Sequence, residues 1–151
     1  MQTLKLGLLM AAILLAAKLA QASDLDRAIV KAAWTYKVPV RILRAIATVE
    51  SSFGKQAVLR KNRNGTYDTG ALQINSIHWQ YSCKHLDVAT LQGNVNCGAL
   101  LLAQHQRHAK TDSNWFARFH SKTPSLKSQY STKVKKVLQL QSNDYKLYLS
   151  K

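Results

Sequence analysis

Glu50 is the only glutamate in the 151-residue chain, and its position suggests acid–base chemistry. It ends an apolar run in which Ile46, Ala47 and Leu43 precede it by four, three and seven residues. These spacings share one face of a helix, so we expect the carboxyl to point toward the core. Burial, and the partial negative charge at a helix C-terminus, should both raise its pKa. A glutamate that stays protonated near neutral pH can act as a general acid. A half-exposed glutamate at a helix end is the alternative.

Other side chains that could do chemistry are few. The five histidines lack zinc-like spacing with the two cysteines, so the sequence predicts no metal site, and it calls for no cofactor. A calcium loop at residues 60–75 is rejected, because Asp68 is the only carboxylate there. Asp68 is also the best candidate for a second catalytic carboxyl.

Residues 1–22 are predicted to form a secretory signal peptide. Lys5 precedes the apolar run Leu6–Ala17, and Ala20-Gln21-Ala22 supplies the small residues of a cleavage site. The run is too short to span a bilayer comfortably, although an uncleaved N-terminal anchor is the alternative. We therefore expect a periplasmic or secreted protein with no transmembrane segment after cleavage.

The rest of the chain is long enough for one domain, predicted at residues 23–142, with a polar C-terminal tail at 143–151. The formal net charge of +15 favours attraction to an anionic polymer or surface. Because aromatic and basic residues do not alternate and no DNA-binding motif occurs, specific nucleic-acid binding is not predicted. Cys83 and Cys97 are the only cysteines, and an even count in an exported protein indicates a disulfide.

The periodicity predicts a mainly α fold with one small β or irregular lobe. A first helix spans about Leu25 to Tyr36, with Ser23 or Asp24 as its N-cap. Pro39 begins the second helix, which ends near Gly54 as a left-handed C-cap. The following elements are then predicted: short extended pieces around the Asn64-Gly65 turn, a short helix or turn at 76–81, a long helix at 91–107, a helix near 115–119 and a last helix after Pro124.

Four short motifs follow one another along these elements. They are Glu50-Ser51, Gly70-Ala71-Leu72-Gln73-Ile74, Asn94-Val95-x-x-Gly98, and Phe119-His120-Ser121 with Thr123-Pro124 behind it. In this order and spacing they resemble the lytic transglycosylases of the SLT, goose-lysozyme-like family. The similarity is greatest to the small exported members that accompany type IV secretion, conjugation and type III secretion systems. It covers about residues 25–138 and implies a lysozyme-like single domain.

The resemblance implies a peptidoglycan lytic transglycosylase. Such an enzyme cleaves the β-1,4 bond between N-acetylmuramic acid and N-acetylglucosamine and forms a 1,6-anhydro sugar. One carboxyl can serve both steps, whereas ordinary glycosidases use two. The implied partners are peptidoglycan glycan strands and components of a secretion or conjugation machine, whose assembly would need local opening of the wall. A hydrolytic muramidase on the same fold and a non-catalytic peptidoglycan-binding assembly module are the alternatives.

The motifs assign an expected role to each matching residue. Glu50 is the catalytic acid and base. Ser51, Gln73, Asn94 and His120 are expected to contact substrate. Three of them have a structural alternative: a helix C-cap for Ser51, a bond that holds the loop for Gln73, and the N-cap of the long helix for Asn94.

Two positions depart from the family pattern. The family tyrosine that bonds the glutamate corresponds to Phe119, which cannot donate a hydrogen bond. His120 and Tyr130 are both candidates to replace it. Ala71 stands where leucine is usual, and the smaller side chain predicts a wider groove.

Glycines and aromatic residues complete the expectations. Gly70 and Gly98 should allow close backbone approach. Trp34 and Trp115 are predicted in the core, whereas Trp79, Tyr81 and Tyr67 are candidates to stack on sugar rings.

Overall fold

The structure is a computed structural model that describes residues 24–55, 57–109 and 111–149, and of residues 143–149 the backbone alone. The predicted signal peptide and the candidate N-cap Ser23 lie outside these residues. None of the described helices combines the length and apolar character needed to cross a membrane.

The first two helices meet at a short turn. Helix α1 occupies residues 24–36, and α2 runs from Val40–Ser51. The chain becomes left-handed already at Ser52 (φ 52°), two residues before the predicted Gly54. Backbone N–H groups of Ser52 and Phe53 donate to carbonyls of the last turn of α2, both at 3.0 Å, and hold this geometry.

The small β lobe predicted from the turn residues is present. Strands β1 (Arg60–Lys61), β2 (Tyr67–Thr69) and β3 (Ile74–Asn75) form an antiparallel sheet in the order β1-β2-β3. Arg60 pairs with Asp68 in the register, so the two side chains share one face of the sheet.

Four further helices follow the sheet. These are α3 (Ser76–Gln80), α4 (Leu91–Arg107), a 3-10 helix (Trp115–Phe119) and α5 (Pro124–Leu149). The N-cap of α4 is Thr90, whose hydroxyl accepts from the Gly93 N–H at 3.1 Å, so the N-cap alternative for Asn94 is wrong. Helix α5 continues to residue 149 through the segment expected to be a polar tail.

Helix α5 packs antiparallel against α2. Near the start of α2, the Arg41 guanidinium donates to the Leu138 carbonyl at 3.2 Å. Tyr130, which comes eight residues before Leu138 on α5, contacts Glu50 at the end of α2. The predicted core face of α2 is confirmed, because Leu43 and Ile46 are fully buried.

Close packing also joins α4 to the segment before β3. A Cβ added at Gly98 would lie 2.1 Å from Leu72 Cδ1, which confirms the predicted close approach. Trp115 packs partly buried against the core as predicted, but Trp34 is 78% exposed, so its predicted core position is wrong. Its spacing indicated the exposed side, because Trp34 comes nine residues after buried Leu25 and so lies half a turn from the buried face of α1.

The predicted disulfide joins Cys83 and Cys97. Both residues are fully buried, and the bond ties the loop after α3 to α4. Closing a loop of this length stabilises a fold by roughly 2–3 kcal/mol.

Candidate active site

Glu50 lies in the last turn of α2 and faces a cleft of about 420 Å³. The cleft runs between the β lobe and the helical part of the molecule. It is lined by Glu50, Arg60, Asp68, Gln73, Ile74, Asn75, Ile77, His78, Leu101, Phe119 and His120. Most of these side chains are polar or ionisable, so the cleft can bind a polar ligand and move a proton.

Burial raises the pKa of Glu50 above its ordinary value of 4.5. The hydrogen bond from Tyr130 lowers it, the negative charge of Asp68 raises it, and the positive charges of Arg60 and Lys133 lower it. The desolvation of the half-buried carboxyl prevails. Glu50 therefore holds its proton to higher pH than a free glutamate does, as its position in the sequence predicts.

Tyr130 supplies the hydrogen bond that Phe119 cannot. Its hydroxyl donates to Glu50 Oε1 at 2.6 Å. The ring is 4% exposed, and burial raises the pKa of Tyr130, so the hydroxyl stays protonated as a donor. The exposed His120 stacks on this ring, with centroids 4.8 Å apart and planes 5° from parallel. Of the two candidates to replace the family tyrosine, Tyr130 makes the hydrogen bond to Glu50. His120, at the rim of the cleft, packs against the Tyr130 ring.

Ser51 is fully buried, and backbone groups use its hydroxyl. Oγ donates to the Ala71 carbonyl at 2.7 Å, lies 3.1 Å from the Ala47 carbonyl, and accepts from the Gly54 N–H at 2.8 Å. This corrects the expected substrate contact. Ser51 fastens the end of α2 to the loop of residues 70–73 and so fixes Glu50 relative to that loop.

Asn94 has a similar structural position on α4. It is 1% exposed, its Nδ2 donates to the Thr69 carbonyl at 2.9 Å, and its Oδ1 accepts from the Leu72 N–H at 2.9 Å. With both ends of its amide engaged, Asn94 is not free to bind substrate, which corrects that expectation. Gly70 lies between these two bonds at φ 75°, and a Cβ there would meet Asn94 Nδ2 at 2.3 Å, so its predicted close approach is confirmed.

Gln73 both holds the loop and faces the cleft. Its Nε2 donates to the Val58 and Gly70 carbonyls at 3.0 and 2.9 Å, which agrees with the structural alternative. Its Oε1 is buried and has no hydrogen-bond partner among the described residues. A buried acceptor without a donor costs desolvation free energy. A ligand that donates an N–H or O–H to this oxygen would recover that cost.

Asp68 and Arg60 reach the cleft from paired strands. Asp68 Oδ1 accepts from Asn75 Nδ2 at 2.8 Å. The sequence reasoning considered Asp68 but missed Arg60 and Asn75. The turn residues around Asn64 predict a hairpin, and a hairpin centred on Asn64 pairs position 60 with position 68. The sequence therefore contained the information needed to place Arg60 beside Asp68.

A second cavity of about 480 Å³, here called the rear cavity, lies behind the loop of residues 70–73. Its lining includes Leu25, Phe53, Ala71 and Leu91. The absence of a larger side chain at Ala71 therefore enlarges the rear cavity and not the groove at Glu50, which corrects the expectation for this position. Trp79, Tyr81 and Tyr67 line neither cavity.

Within the described ranges, no three His, Cys, Asp or Glu side chains are grouped so as to hold a metal ion.

Comparison with known proteins identifies the family. The family model of the transglycosylase SLT domain matches residues 27–119, more than half of the chain. Protein IpgF of Shigella flexneri and Protein IpgF of Shigella sonnei are each 48% identical over 48 residues, a stretch that covers 32% of this chain and 31% of each relative. The matched part is thus about a third of the length of these curated relatives. The mainly α fold with its small sheet is the lysozyme-like fold that the sequence predicted, and the chain belongs to the transglycosylase SLT domain family.

Proposed function

We propose that the protein is a peptidoglycan lytic transglycosylase in which Glu50 acts first as acid and then as base. The observation that carries the proposal is the half-buried carboxyl of Glu50, which has a raised pKa and accepts a hydrogen bond from Tyr130 in a polar cleft. Membership of the SLT family supports the same reaction class.

In the proposed reaction, protonated Glu50 gives its proton to the glycosidic oxygen as the bond to C1 of N-acetylmuramic acid breaks. The C6 hydroxyl of the same sugar then attacks C1, and its proton passes to the Glu50 carboxylate. The products are a 1,6-anhydro end and a free hydroxyl on the leaving sugar, and Glu50 regains its starting state. Because Tyr130 holds Oε1, we assign the proton transfers to Oε2.

The other proposed roles follow from the contacts. We assign an N–H of a sugar acetamido group as the donor for the unpaired Oε1 of Gln73. His120 contributes to the rim of the substrate site. Ser51 and Asn94 act as positioning residues, since their bonds hold the loop that carries Gln73.

We further propose that the protein acts outside the cytoplasm, on the wall, during assembly of a secretion or conjugation apparatus. The predicted signal peptide and the Cys83–Cys97 disulfide support an oxidising compartment. The secretion context is supported by the motifs of the small exported family members.

Hydrolytic cleavage is the second candidate, because Asp68 lies in the same cleft as Glu50 and its charge acts on that carboxyl. A hydrolase would use Asp68 as its second carboxyl. The bond from Tyr130 to Glu50 supports catalysis over the non-catalytic alternative, which was based on Phe119.

Mass spectrometry of fragments released from purified sacculi tests the proposal. We expect 1,6-anhydro fragments, each lighter by one water than a hydrolysed fragment. Glu50→Gln should lower their release at least about 1000-fold, since it removes the proton donor. Asp68→Asn should leave the anhydro product in place. Hydrolysed fragments that vanish in Asp68→Asn would instead establish the second candidate, and digestion by Glu50→Gln at the parent rate would refute both.

A further inference from the structure

Arg60 is a cation in the cleft that makes no ion pair with a carboxylate of the described residues. It is exposed on β1 and lines the same cavity as Glu50. The ion pairs of the described residues use Asp24, Asp26 and Asp112, and none includes Arg60. Asp68, its neighbour across the sheet, is instead hydrogen-bonded to Asn75.

A neutral glycan offers such a cation only hydroxyl and carbonyl oxygens, which are weaker acceptors than carboxylates. Gln73, Asn75 and the two cleft histidines, His78 and His120, offer neutral polar groups for such oxygens and N–H groups. A guanidinium, however, forms its strongest contacts with carboxylates, through two parallel N–H donors. A free Arg60 at this place therefore indicates a substrate that carries carboxylates close to the sugar ring.

We propose that Arg60 forms a carboxylate-binding subsite, through which the cleft distinguishes muramyl strands from neutral N-acetylglucosamine strands. This inference rests on the proposed function, because it assigns the substrate of that same cleft. The carboxylate sits on the lactyl arm of the muramic acid or on the peptide attached to that arm.

Equilibrium binding to the Glu50→Gln protein tests this without turnover. Three ligands are compared: neutral chito-oligosaccharide, glycan strands stripped of peptide, which bear free lactyl carboxylates, and strands with their peptides. We expect one or both carboxylate ligands to bind more tightly than the neutral one, by roughly fivefold for an exposed pair. Adding Arg60→Gln should remove this preference and leave the affinity for chito-oligosaccharide unchanged. The ligand that loses affinity identifies the source of the carboxylate.

Two matched controls separate direct contact from general charge. Lys61 is the next residue on β1 and points to the other side of the strand, so Lys61→Gln removes an equal charge outside the cleft. The positive charge of Lys133, like that of Arg60, lowers the pKa of Glu50, but Lys133 does not line the cleft. Both control variants should keep the preference for carboxylate ligands.

The proposal is overturned if Arg60→Gln leaves the preference unchanged, if no preference exists, or if the two controls reduce it equally. These results do not depend on catalysis. Retained digestion by Glu50→Gln would refute the proposed function, whereas an unchanged preference in Arg60→Gln refutes the subsite alone.

Discussion

The cleft at Glu50 and the rear cavity are similar in volume but different in chemistry. The loop of residues 70–73 separates them, with Gln73 on the cleft side and Ala71 on the rear side. The described lining of the rear cavity contains no carboxyl group, and its single charged side chain is Lys55. The cleft contains Glu50 and other groups that can exchange protons. A choice of the active site by cavity volume alone would therefore give the rear cavity. The positions of the ionisable side chains identify the cleft at Glu50 instead.

The loop between the two cavities should be the most sensitive element. Gly70→Ala combines a left-handed backbone with a contact to Asn94 Nδ2, so we expect a loss of roughly 2–5 kcal/mol in the free energy of unfolding. Gly65→Ala is the matched control, since Gly65 is also left-handed (φ 81°) but has nothing within 4 Å of the added Cβ. It should cost roughly 1–2 kcal/mol. Equal losses in denaturant titrations would show that the Asn94 contact has no energetic importance.

On the cleft side, Tyr130→Phe should lower kcat/KM about tenfold, because the carboxyl loses a charge-assisted hydrogen bond. That bond lowers the pKa of Glu50, so its removal should raise the pKa further. Glu50 must be protonated to start the reaction, so the alkaline limb of the pH profile should move to higher pH. Tyr36→Phe, which alters a half-buried tyrosine outside the cleft, should leave the profile in place. A limb that moves to lower pH would contradict the assignment.

The same carboxyl should reduce the stability of the fold. Its pKa is raised on folding, so the native state binds the proton more tightly, and stability falls as pH rises from 4.5 through the folded pKa. Glu50→Gln removes this loss while keeping an acceptor for Tyr130. We expect its melting temperature to match the parent's well below pH 4.5 and to exceed it at neutral pH. A mutant that is less stable at neutral pH would argue against a desolvated carboxyl.

The smallest effect is expected in the rear cavity. Ala71→Leu adds volume where space exists, so kcat/KM should stay within about twofold and stability within about 1 kcal/mol. Ile77→Phe, an enlargement in the cleft, should weaken binding of glycan strands much more. If Ala71→Leu is the more damaging of the two, substrate uses the rear cavity.

Much of the site could be predicted from local pattern. Periodicity placed Glu50 on the buried face of α2, and turn-forming residues predicted the small β lobe, because both signals arise within a few residues of chain. The two glycines were predicted correctly as positions of close approach. The core position of Trp34 was inferred from residue type, and the helical spacing, which puts Trp34 opposite the buried face of α1, would have corrected it.

The roles of Ser51 and Asn94 could not be read in the same way. A serine after a glutamate can bind substrate or backbone, and the difference depends on the Ala71 carbonyl, 20 residues away in the chain. Asn94 likewise has its partners on another segment, at Thr69 and Leu72.

Local order in the chain thus specifies a lone acidic group at the end of an apolar helix, the cysteine pair and the mainly helical fold. Packing of α5 against α2 decides that Tyr130, 80 residues from Glu50, becomes its hydrogen-bond donor. Folding of the hairpin decides that Arg60 and Asp68 share the cleft. The physical reason is that helix and turn preferences act between near neighbours, whereas a carboxyl's environment depends on every element that removes water from it.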